Sequence, residues 1–477
     1  MPTSLTPSLQ DIARDLDALL TLHAHSRPLS VDASSRPGGR QVVVVGGGLS
    51  GVAVAIQLLR RGDEGLRIAI VESGPWIGRG VAYGVDSEVF RLNVPASKMS
   101  LDPERPDDFV RWAGAEANPT AFLPRARYGA YVVARLADAL RASRSELRVV
   151  RGTAVAVDAR GVRLADGGVL PADVVVLATG IAPRLAPSTL PDDPRILDAW
   201  DECAIAALPR EGRILVLGAG LTALDVVASL EAQGFGGDAT ILSRRGLLPR
   251  AHLAQHGAAR PLAPGVVDAA PHDLRGLLRW GRALVRDHER RGEPWQHAID
   301  ALRPHVARLY RGLPPADRAR FVRSVRPYWD VLRHRAPAET LALVDAWRTA
   351  GRARVLAGRV VSCAATPDGL DVTLELAGGA RRRERYDRIA RCLGPALERS
   401  EIDAPLVRDL LASGLAAADP AGLGIVTDEL GRVVGASGAP SERLFALGAL
   451  RRASSWETTS VPDIAAHALA LARHILV

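Results

Sequence analysis

The apolar and polar positions predict two copies of a strand, a tight turn and a helix. In the first copy an uncharged apolar run at 41–45 leads into Gly-Gly-Gly-Leu-Ser-Gly at 46–51, and an apolar helical pattern follows to residue 59. A second apolar run at 67–72 ends in an acidic residue. Residues 42–59 carry no charge, but the glycine cluster inside them favours a βαβ unit over a membrane span.

The first copy has the complete fingerprint of a dinucleotide-binding turn. Gly46 permits the tight turn, Gly48 lets the backbone approach a pyrophosphate, and Gly51 lets helix and strand pack closely. The helix N-terminus offers unpaired N–H groups and a positive dipole end to phosphates. Glu72, at the end of the second strand, is expected to accept hydrogen bonds from ribose hydroxyls.

The second copy begins at Arg213 and has Gly218, Gly220 and Ala223 in the three fingerprint positions. Its second strand ends in Ser243-Arg244-Arg245, without the acid. A carboxylate there would repel a ribose 2′-phosphate, whereas guanidinium groups pair with it, so the pattern predicts NADPH rather than NADH. Two solvated arginines on a loop remain the alternative.

The layout after each copy is also repeated, which indicates an internal duplication. Hairpin-like strands near Val149 and Val155 precede a glycine turn at 166–168 and an apolar strand at 174–178. After the second copy the same series recurs, with strands near 360 and 372, a turn at 378–379 and a strand at 388–393. The predicted fold is therefore α/β, with two Rossmann-like dinucleotide-binding domains and a helical insertion.

The expected domain boundaries follow from these patterns. Residues 1–40 are an N-terminal helix and linker, 41–205 the first part of the FAD-binding domain, 206–250 with 351–400 the NADPH-binding domain, 251–350 the helical insertion, and 401–477 the C-terminal part of the FAD-binding domain. The helix is predicted at 8–24 from apolar residues at helical spacing.

Composition narrows the class of protein. The 477 residues suffice for two or three domains, and 47% hydrophobic with 24% charged residues are typical of a folded, soluble protein. The net charge is +8, but the basic residues are arginines spread along the chain apart from Lys98, so neither a nucleic acid nor a membrane is expected as a partner. Cys203, Cys363 and Cys392 are too far apart for a disulfide framework or metal knuckle, which favours the cytoplasm and no metal site.

The chain resembles the two-dinucleotide FAD/NAD(P)-binding proteins related to flavin-dependent N-hydroxylating monooxygenases, which include the ornithine and lysine N-hydroxylases. The motifs that carry the resemblance are 46–51, Gly-Arg-Gly-Val-Ala-Tyr-Gly at 78–84, Leu-Asn-Val-Pro-Ala-Ser-Lys-Met at 92–99, Leu-Ala-Thr-Gly at 177–180, 218–225, 326–335, and Trp-Glu-Thr-Thr-Ser-Val-Pro at 456–462.

The resemblance implies where the cofactors and the substrate lie. Arg79 and Asn93 should lie along FAD near its ring system, residues 445–448 should be the strand that closes the FAD domain, and 456–462 should lie over the flavin and open the last helix. The cofactor candidates are Gly46, Gly48, Leu49, Ser50, Gly51, Glu72, Ser73, Arg79, Asn93, Thr179, Gly180, Gly448 and Thr458 for FAD, and Gly218, Gly220, Leu221, Thr222, Ala223, Ser243, Arg244 and Arg245 for NADPH. The catalytic or pocket candidates are Asn93, Arg326, Tyr328, His334 and Glu457.

Sequence motifs typical of other flavoprotein classes are absent from this chain, which narrows the reactions that we expect it to catalyse. The Phe-x-Gly with a His and Trp, typical of Baeyer-Villiger and microsomal-type monooxygenases, is absent, since Asp-Ala-Trp-Asp occupies 198–201 without a His. The CxxC of disulfide reductases is absent too. The leading hypothesis is an FAD- and NADPH-dependent monooxygenase in which molecular oxygen, through a flavin hydroperoxide, hydroxylates an amine or similar nucleophilic group of a small molecule. A flavin reductase or oxidase, and a flavin-bound sensor or scaffold, are the alternatives.

Overall fold

The computed structural model describes residues 12, 14–20, 39–114, 117–180, 187–253, 259–393 and 404–477. The chain forms two compact units. The first consists of Met1–Gly84, Val94–Pro183 and Ala396–Val477, and the second of Val85–Asn93 and Arg184–Pro395. The first unit thus gives way to the second at 183/184, earlier than the boundary at 205/206 that we expect between the FAD-binding and NADPH-binding domains. The reason is that the strand Ile196–Asp198 pairs with a strand of the second unit.

The strands within the described residues form three sheets. They are β1 (Gln41–Val45), β2 (Arg67–Glu72), β3 (Glu146–Arg151), β4 (Ala154–Asp158), β5 (Gly161–Leu164), β6 (Val169–Pro171), β7 (Val174–Leu177), β8 (Ile196–Asp198), β9 (Arg213–Leu217), β10 (Asp238–Ser243), β11 (Ala353–Thr366), β12 (Gly369–Leu376), β13 (Arg381–Tyr386), β14 (Arg388–Arg391), β15 (Arg432–Val434) and β16 (Pro440–Ala446).

The helices begin with a helical stretch at residues 12 and 14–20, inside the predicted range of 8–24, in which Ile12 and Leu16 are buried. The later α-helices are α1 (Leu49–Arg61), α2 (Gly80–Tyr83), α3 (Asp108–Ala113), α4 (Arg125–Ala142), α5 (Glu202–Ala206), α6 (Leu221–Ala232), α7 (Pro264–Asp268), α8 (Leu274–Arg290), α9 (Trp295–Leu302), α10 (Val306–Arg311), α11 (Pro315–Arg320), α12 (Arg326–Arg333), α13 (Ala338–Thr349), α14 (Pro405–Ala412) and α15 (Val461–Ile475).

The first unit is built on a six-stranded sheet of order β15-β16-β7-β1-β2-β3, in which every pair except β15 with β16 is parallel. The central strands are apolar throughout because helices cover both faces of such a sheet. Helix α1 is buried from Leu49 to Leu59 and packs against α4 and α15. The separate sheet β4-β5-β6 is antiparallel and packs against α14.

One predicted pairing in this unit is wrong. Val149 and Val155 were expected in a hairpin, but β3 pairs in parallel with β2, whereas β4 belongs to the small antiparallel sheet. A parallel partner depends on a distant strand, which local alternation of apolar residues does not reveal.

The second unit repeats the plan with the order β13-β12-β11-β10-β9-β14-β8. Strands β8, β14, β9, β10 and the first part of β11 are parallel, and β11 continues into an antiparallel meander with β12 and β13. The meander occupies the same place in the order of elements as β4-β5-β6 does in the first unit, as the predicted duplication implies. Helices α7 to α13 lie between β10 and β11 in the chain and form the helical insertion.

Candidate dinucleotide-binding sites

The glycine turn of the first unit lies at the carboxyl edge of the sheet, where β1, β2, β7 and β16 end side by side. Ligands of open α/β sheets bind at this edge. Gly46 has φ +105° and a Cβ there would lie 2.4 Å from the carbonyl oxygen of Ala178, while a Cβ on Gly51 would lie 1.9 Å from the carbonyl oxygen of Gly46. No side chain fits at either position, so both glycines are required by the turn itself.

The segment after β2 folds back over this turn. The Gly78 N–H donates to the carbonyl oxygen of Gly47 at 2.7 Å, and a Cβ on Gly48 would lie 3.4 Å from the Cα of Gly80. Gly48 precedes α1 in extended conformation, so the first turn of a 13-residue helix points its N–H groups at the same edge. The fold therefore places the N-terminus of this helix at the edge where the sequence predicts a pyrophosphate to bind.

The Arg79 side chain is turned into the protein. It is buried, and its guanidinium donates to the carbonyl oxygens of Gly84 at 2.8 Å and Tyr83 at 3.4 Å. Burial raises the pKa of Tyr83 to about 12, so this phenol stays protonated. Arg79 thus shapes the segment at 78–84, and its contact with FAD remains a prediction.

Glu72 ties the end of β2 to the glycine turn. One carboxylate oxygen accepts the Gly47 N–H at 2.7 Å, and the other accepts the Gly74 N–H at 2.7 Å. A carboxylate oxygen can accept a second hydrogen bond, so Glu72 retains capacity for ribose hydroxyls. Ser73, next in the chain, is exposed at the same edge.

The C-terminal segment completes the edge. Gly448 has φ +78° and a Cβ there would lie 2.5 Å from the Ser50 hydroxyl, so the segment after β16 touches the first turn of α1. The buried Thr458 hydroxyl donates to the carbonyl oxygen of Gly448 at 2.8 Å. Thr179 and Gly180 follow β7 beside Gly46, whose Cβ would lie 3.0 Å from the Cα of Thr179.

The segment before α15 follows the predicted course. Trp456 is buried, Glu457 is half-buried and Ser460 caps the helix, with Pro462 in its first turn. The Glu457 carbonyl oxygen accepts the Ser460 N–H at 3.0 Å, so this residue belongs to the turn that starts the helix. Contact of its carboxylate with substrate or flavin remains a prediction.

The second unit has an equivalent turn between β9 and α6. Gly218 has φ +117° and a Cβ would lie 2.3 Å from the Cys392 carbonyl oxygen. A Cβ on Gly220 would meet nothing within 4 Å, so a ligand can approach this backbone. Leu221 and Thr222 start the helix half-buried, and Ala223 is fully buried in the third fingerprint position.

The two arginines after β10 differ in their surroundings. Arg244 is exposed, whereas Arg245 donates to the carbonyl oxygens of Arg323 at 3.3 Å and Ser324 at 3.2 Å. The Arg245 guanidinium also lies 5.5 Å from the ring centre of Tyr328. The Ser243 hydroxyl accepts the Gly246 N–H at 3.0 Å and closes the turn. Arg245 therefore holds the helical insertion, a role that sequence spacing does not show.

The pocket candidates divide between the units. Asn93 belongs to the second unit, where its carbonyl oxygen accepts from the His252 Nε2 at 2.9 Å. The His252 backbone N–H donates to the Ala336 carbonyl oxygen, two residues after His334. His252 is not among the candidates from the sequence, because a histidine in a loop-like stretch carries no strong signal. Glu457 belongs to the first unit.

Arg326, Tyr328 and His334 all lie on or at the end of α12. The Arg326 Nε donates to an oxygen of Asp330 at 3.1 Å, and the His334 Nε2 lies 3.9 Å from the other oxygen. Tyr328 is 52% exposed, which leaves its ring open to a ligand. Asp330 connects the two basic candidates and was missed in the sequence, although its i, i+4 spacing to both was visible.

The described residues hold no group of three His, Cys, Asp or Glu side chains that could bind a metal ion. No helix in that part of the chain is long and apolar enough to cross a membrane. All three cysteines lie within it and none forms a disulfide. Burial raises the pKa of the Cys392 thiol, so this cysteine is not a nucleophile at neutral pH.

Comparison with known proteins concerns the first unit and the fold. Residues 43–182, which include the first glycine turn, match a family model described as FAD-NAD(P)-binding. A search of curated protein sequences finds no match to the chain.

Solved structures share the fold over most of the chain. The FAD-bound cadaverine monooxygenase of desferrioxamine biosynthesis from Erwinia amylovora is 14% identical with a TM-score of 0.64, covering 92% of this chain and 94% of that one. The ornithine N-hydroxylase of Kutzneria sp. 744, with reduced FAD, NADP+ and L-ornithine, is 16% identical with a TM-score of 0.60, covering 92% and 99%. Reduced ornithine hydroxylase from Pseudomonas aeruginosa is 17% identical with a TM-score of 0.55, covering 92% and 99%. The predicted resemblance and α/β fold class are confirmed at the level of fold.

Proposed function

We propose that this protein is an FAD- and NADPH-dependent oxidoreductase that hydroxylates an amine or similar nucleophilic group of a small molecule with molecular oxygen. The observation that supports it most directly is the pair of glycine turns, one at the carboxyl edge of each large sheet, in positions where a Cβ would collide with the backbone. Two such turns suit one electron-donating and one electron-accepting dinucleotide.

The residues of the first unit fit FAD. Gly46, Gly48 and Gly51 leave the backbone of the turn bare, and the N-terminal N–H groups of α1 bind the pyrophosphate. Glu72 orients the adenosine ribose, and the segment around Gly448 closes the edge beside Ser50. When bound, FAD supplies the transfer of electrons from the nicotinamide to oxygen.

The second unit is proposed to bind NADPH. Gly220 offers open backbone to the pyrophosphate at the start of α6, and the exposed Arg244 pairs with the ribose 2′-phosphate. Arg245 supports this loop from the side of the helical insertion rather than contacting the phosphate. Asn93, Arg326, Tyr328, His334 and Glu457 remain the proposed pocket residues, which position the substrate and exclude water.

Likeness of fold favours N-hydroxylation among possible oxidations. Three solved structures with this fold are described as ornithine hydroxylases or a cadaverine monooxygenase, so an amine is the first substrate class to test. Because the cysteines are free and widely spaced, we place the protein in the cytoplasm.

The test is turnover with a panel of small amines under labelled oxygen. The purified yellow protein is incubated with NADPH and diamines, amino acids or aromatic amines, and mass spectrometry follows incorporation of one oxygen atom. The proposal predicts at least one hydroxylated product whose amount matches the NADPH consumed. NADPH consumption that yields only hydrogen peroxide across the panel would favour a reductase or oxidase instead.

A further inference from the structure

Helix α8 presents a line of arginines along one side. They recur at i, i+4, i+7, i+11 and i+15, and at 100° per residue they fall within an arc of about 80° over about 22 Å of helix. All of them are exposed to solvent. We call this set the α8 arginine stripe, and its members are Arg275, Arg279, Arg282, Arg286 and Arg290.

The stripe lacks the carboxylates that pair with arginines in other parts of the chain. Arg290 lies 3.3 Å from Asp287, whereas the other four have no ion-pair partner among the residues that the structure describes. Strand β13 is also rich in arginine, but its Arg383 and Arg385 lie against Asp371 of β12 at 3.0 and 2.9 Å. The positive charge of the α8 stripe is therefore left uncompensated.

This arrangement of charges lowers the stability of the helix. Like charges three or four residues apart on one helix face repel each other, and the stripe contains four successive pairs of this kind. Residues 251–350 hold 17 arginines against 10 acidic residues, so about a fifth of the chain carries seven of its eight net positive charges. Such a field attracts an anionic partner, and the partner would relieve the repulsion on binding.

The opposite side of α8 packs inward and leaves the stripe as the side that faces a partner. Leu274 and His288 are buried, Leu284 is half-buried, and the helix packs against α9. A helix that binds a membrane surface inserts its apolar side into the lipid, and that side is occupied here. The single tryptophan of α8, Trp280, is half-buried outside the arc of the stripe, so the stripe lacks the rings on which single-stranded nucleic acids stack.

Carboxylates limit the stripe at both ends. Asp273 caps the N-terminus of α8, where its side chain accepts the Gly276 N–H at 2.8 Å. At the C-terminal end the exposed Glu289 lines an open cleft of about 540 Å³ together with Arg286 and Arg290. A long polyanion such as duplex nucleic acid would be repelled by these acids, whereas an acidic segment of about four helical turns fits between them.

We propose that the α8 arginine stripe docks an acidic helix of a partner protein. Guanidinium groups bind carboxylates bidentately, and glutamates at i, i+4 and i+7 of a facing helix would lie opposite successive arginines of the stripe. The cleft beside Arg286 and Arg290 leaves room for a side chain at the end of that helix. The inference is independent of the proposed oxidation, since the stripe shares no residue with the glycine turns or the pocket candidates.

The test measures binding of a designed peptide to the full-length protein without NADPH. The probe is a helical peptide with five glutamates at the spacing of the stripe and a neutral dye, followed by fluorescence anisotropy. The inference predicts saturable binding that weakens at least about tenfold between about 50 and 300 mM salt, and no binding of the same peptide with glutamines. Equal binding of both peptides, or no binding of either, contradicts it. Tighter binding of duplex DNA, single-stranded RNA or phosphatidylserine vesicles also contradicts it.

Variants locate the peptide on the stripe. R279Q/R282Q/R286Q is expected to weaken binding at least about tenfold, because it removes three ion pairs of one network. The matched control removes three exposed arginines outside α8 and should bind the peptide as the wild type does; it is R144Q/R160Q/R382Q. If the control weakens binding as much as the first variant, net charge rather than the stripe attracts the peptide, and the inference fails.

A charge reversal separates docking from a merely solvated helix face. R282E puts a carboxylate between Arg279 and Arg286, so attraction replaces repulsion and the melting temperature should rise slightly. The same variant should bind the acidic peptide more weakly than the wild type. It also decides the matter if the triple variant does not fold, since a raised melting temperature with unchanged binding would overturn the inference.

Discussion

At the scale of single residues, burial and close approach explain which identities are required. Gly46, Gly51 and Gly218 have no room for a methyl group, and these are the positions from which the sequence predicts nucleotide binding. Arg245 shows the opposite case, since its neighbours do not reveal that its partners lie on a turn almost eighty positions later in the chain. Local fingerprints thus identify the turns, whereas long-range partners need the fold.

His467 of α15 provides a residue-scale prediction about pH. Burial and the nearby charge of Arg451 lower its pKa from an unperturbed 6.5 to about 4, and its Nδ1 is buried without a partner in the described part of the chain. Between pH 6.5 and 4 the unfolded chain binds a proton that the native state does not, so the free energy of unfolding falls as pH falls through this window, by about 3 kcal/mol in total. Above pH 6.5 the residue is neutral in both states and contributes nothing.

Replacement of this histidine should remove that pH dependence. Denaturant unfolding of H467Q, followed from pH 7.5 to 4, is expected to show a shallower loss of stability than the wild type. H474Q changes an exposed histidine on the same helix and should behave as the wild type does. If the free energy of unfolding falls equally with pH in H467Q and the wild type, burial does not hold His467 neutral.

At the scale of elements, the loop after β10 joins the nucleotide turn to the helical insertion. Its Arg244 is exposed, while its Arg245 donates to the π-helical turn Phe321–Val325 before α12, here called the π turn, and lies against the ring of Tyr328. The two arginines are adjacent and equally charged, but the loop presents them to different surroundings. From the motif alone both arginines are expected to bind the 2′-phosphate, because a motif does not distinguish an outward side chain from one that packs on another element.

The two arginines should therefore respond differently to substitution. R244A is expected to weaken NADPH about 10- to 100-fold and to leave NADH nearly unchanged, because it removes a charge-assisted bond to the 2′-phosphate alone. R245A should weaken both nucleotides to a similar degree and lower the melting temperature, since it releases the π turn. Rates of anaerobic flavin reduction at varied NADPH and NADH concentrations measure both effects. If R245A loses its preference for NADPH over NADH while R244A keeps it, Arg245 rather than Arg244 binds the 2′-phosphate.

At the scale of the whole molecule, the duplication was predictable because each copy repeats a local series of apolar runs and glycines. The division of the chain was harder to predict. Val85–Asn93 belongs to the second unit although the flanking segments belong to the first, and Ile196–Asp198 adds to the second sheet through β14. Both features depend on pairing between segments far apart in the chain, and hydrophobic periodicity carries no information about such partners.

Two separate nucleotide turns predict that the two cofactors can be lost one at a time. G46A places a methyl group 2.4 Å from the Ala178 carbonyl oxygen, and G218A does the same at 2.3 Å from that of Cys392, both at positive φ. Each substitution must displace its turn, at a cost of about 1–3 kcal/mol. G46A should lose the flavin absorbance on gel filtration. G218A should stay yellow and be reduced by dithionite, but at least about tenfold more slowly by NADPH than the wild type.

The matched pair makes this test independent of the substrate. Both variants add one methyl group to equivalent positions, so a general loss of stability should affect them equally and would appear as equal changes in melting temperature. If G218A loses its flavin while G46A keeps it, the order of the two sites along the chain is the reverse of the one proposed. If both keep the flavin and accept electrons from NADPH at the wild-type rate, neither glycine turn at the carboxyl edge of its sheet is a nucleotide site.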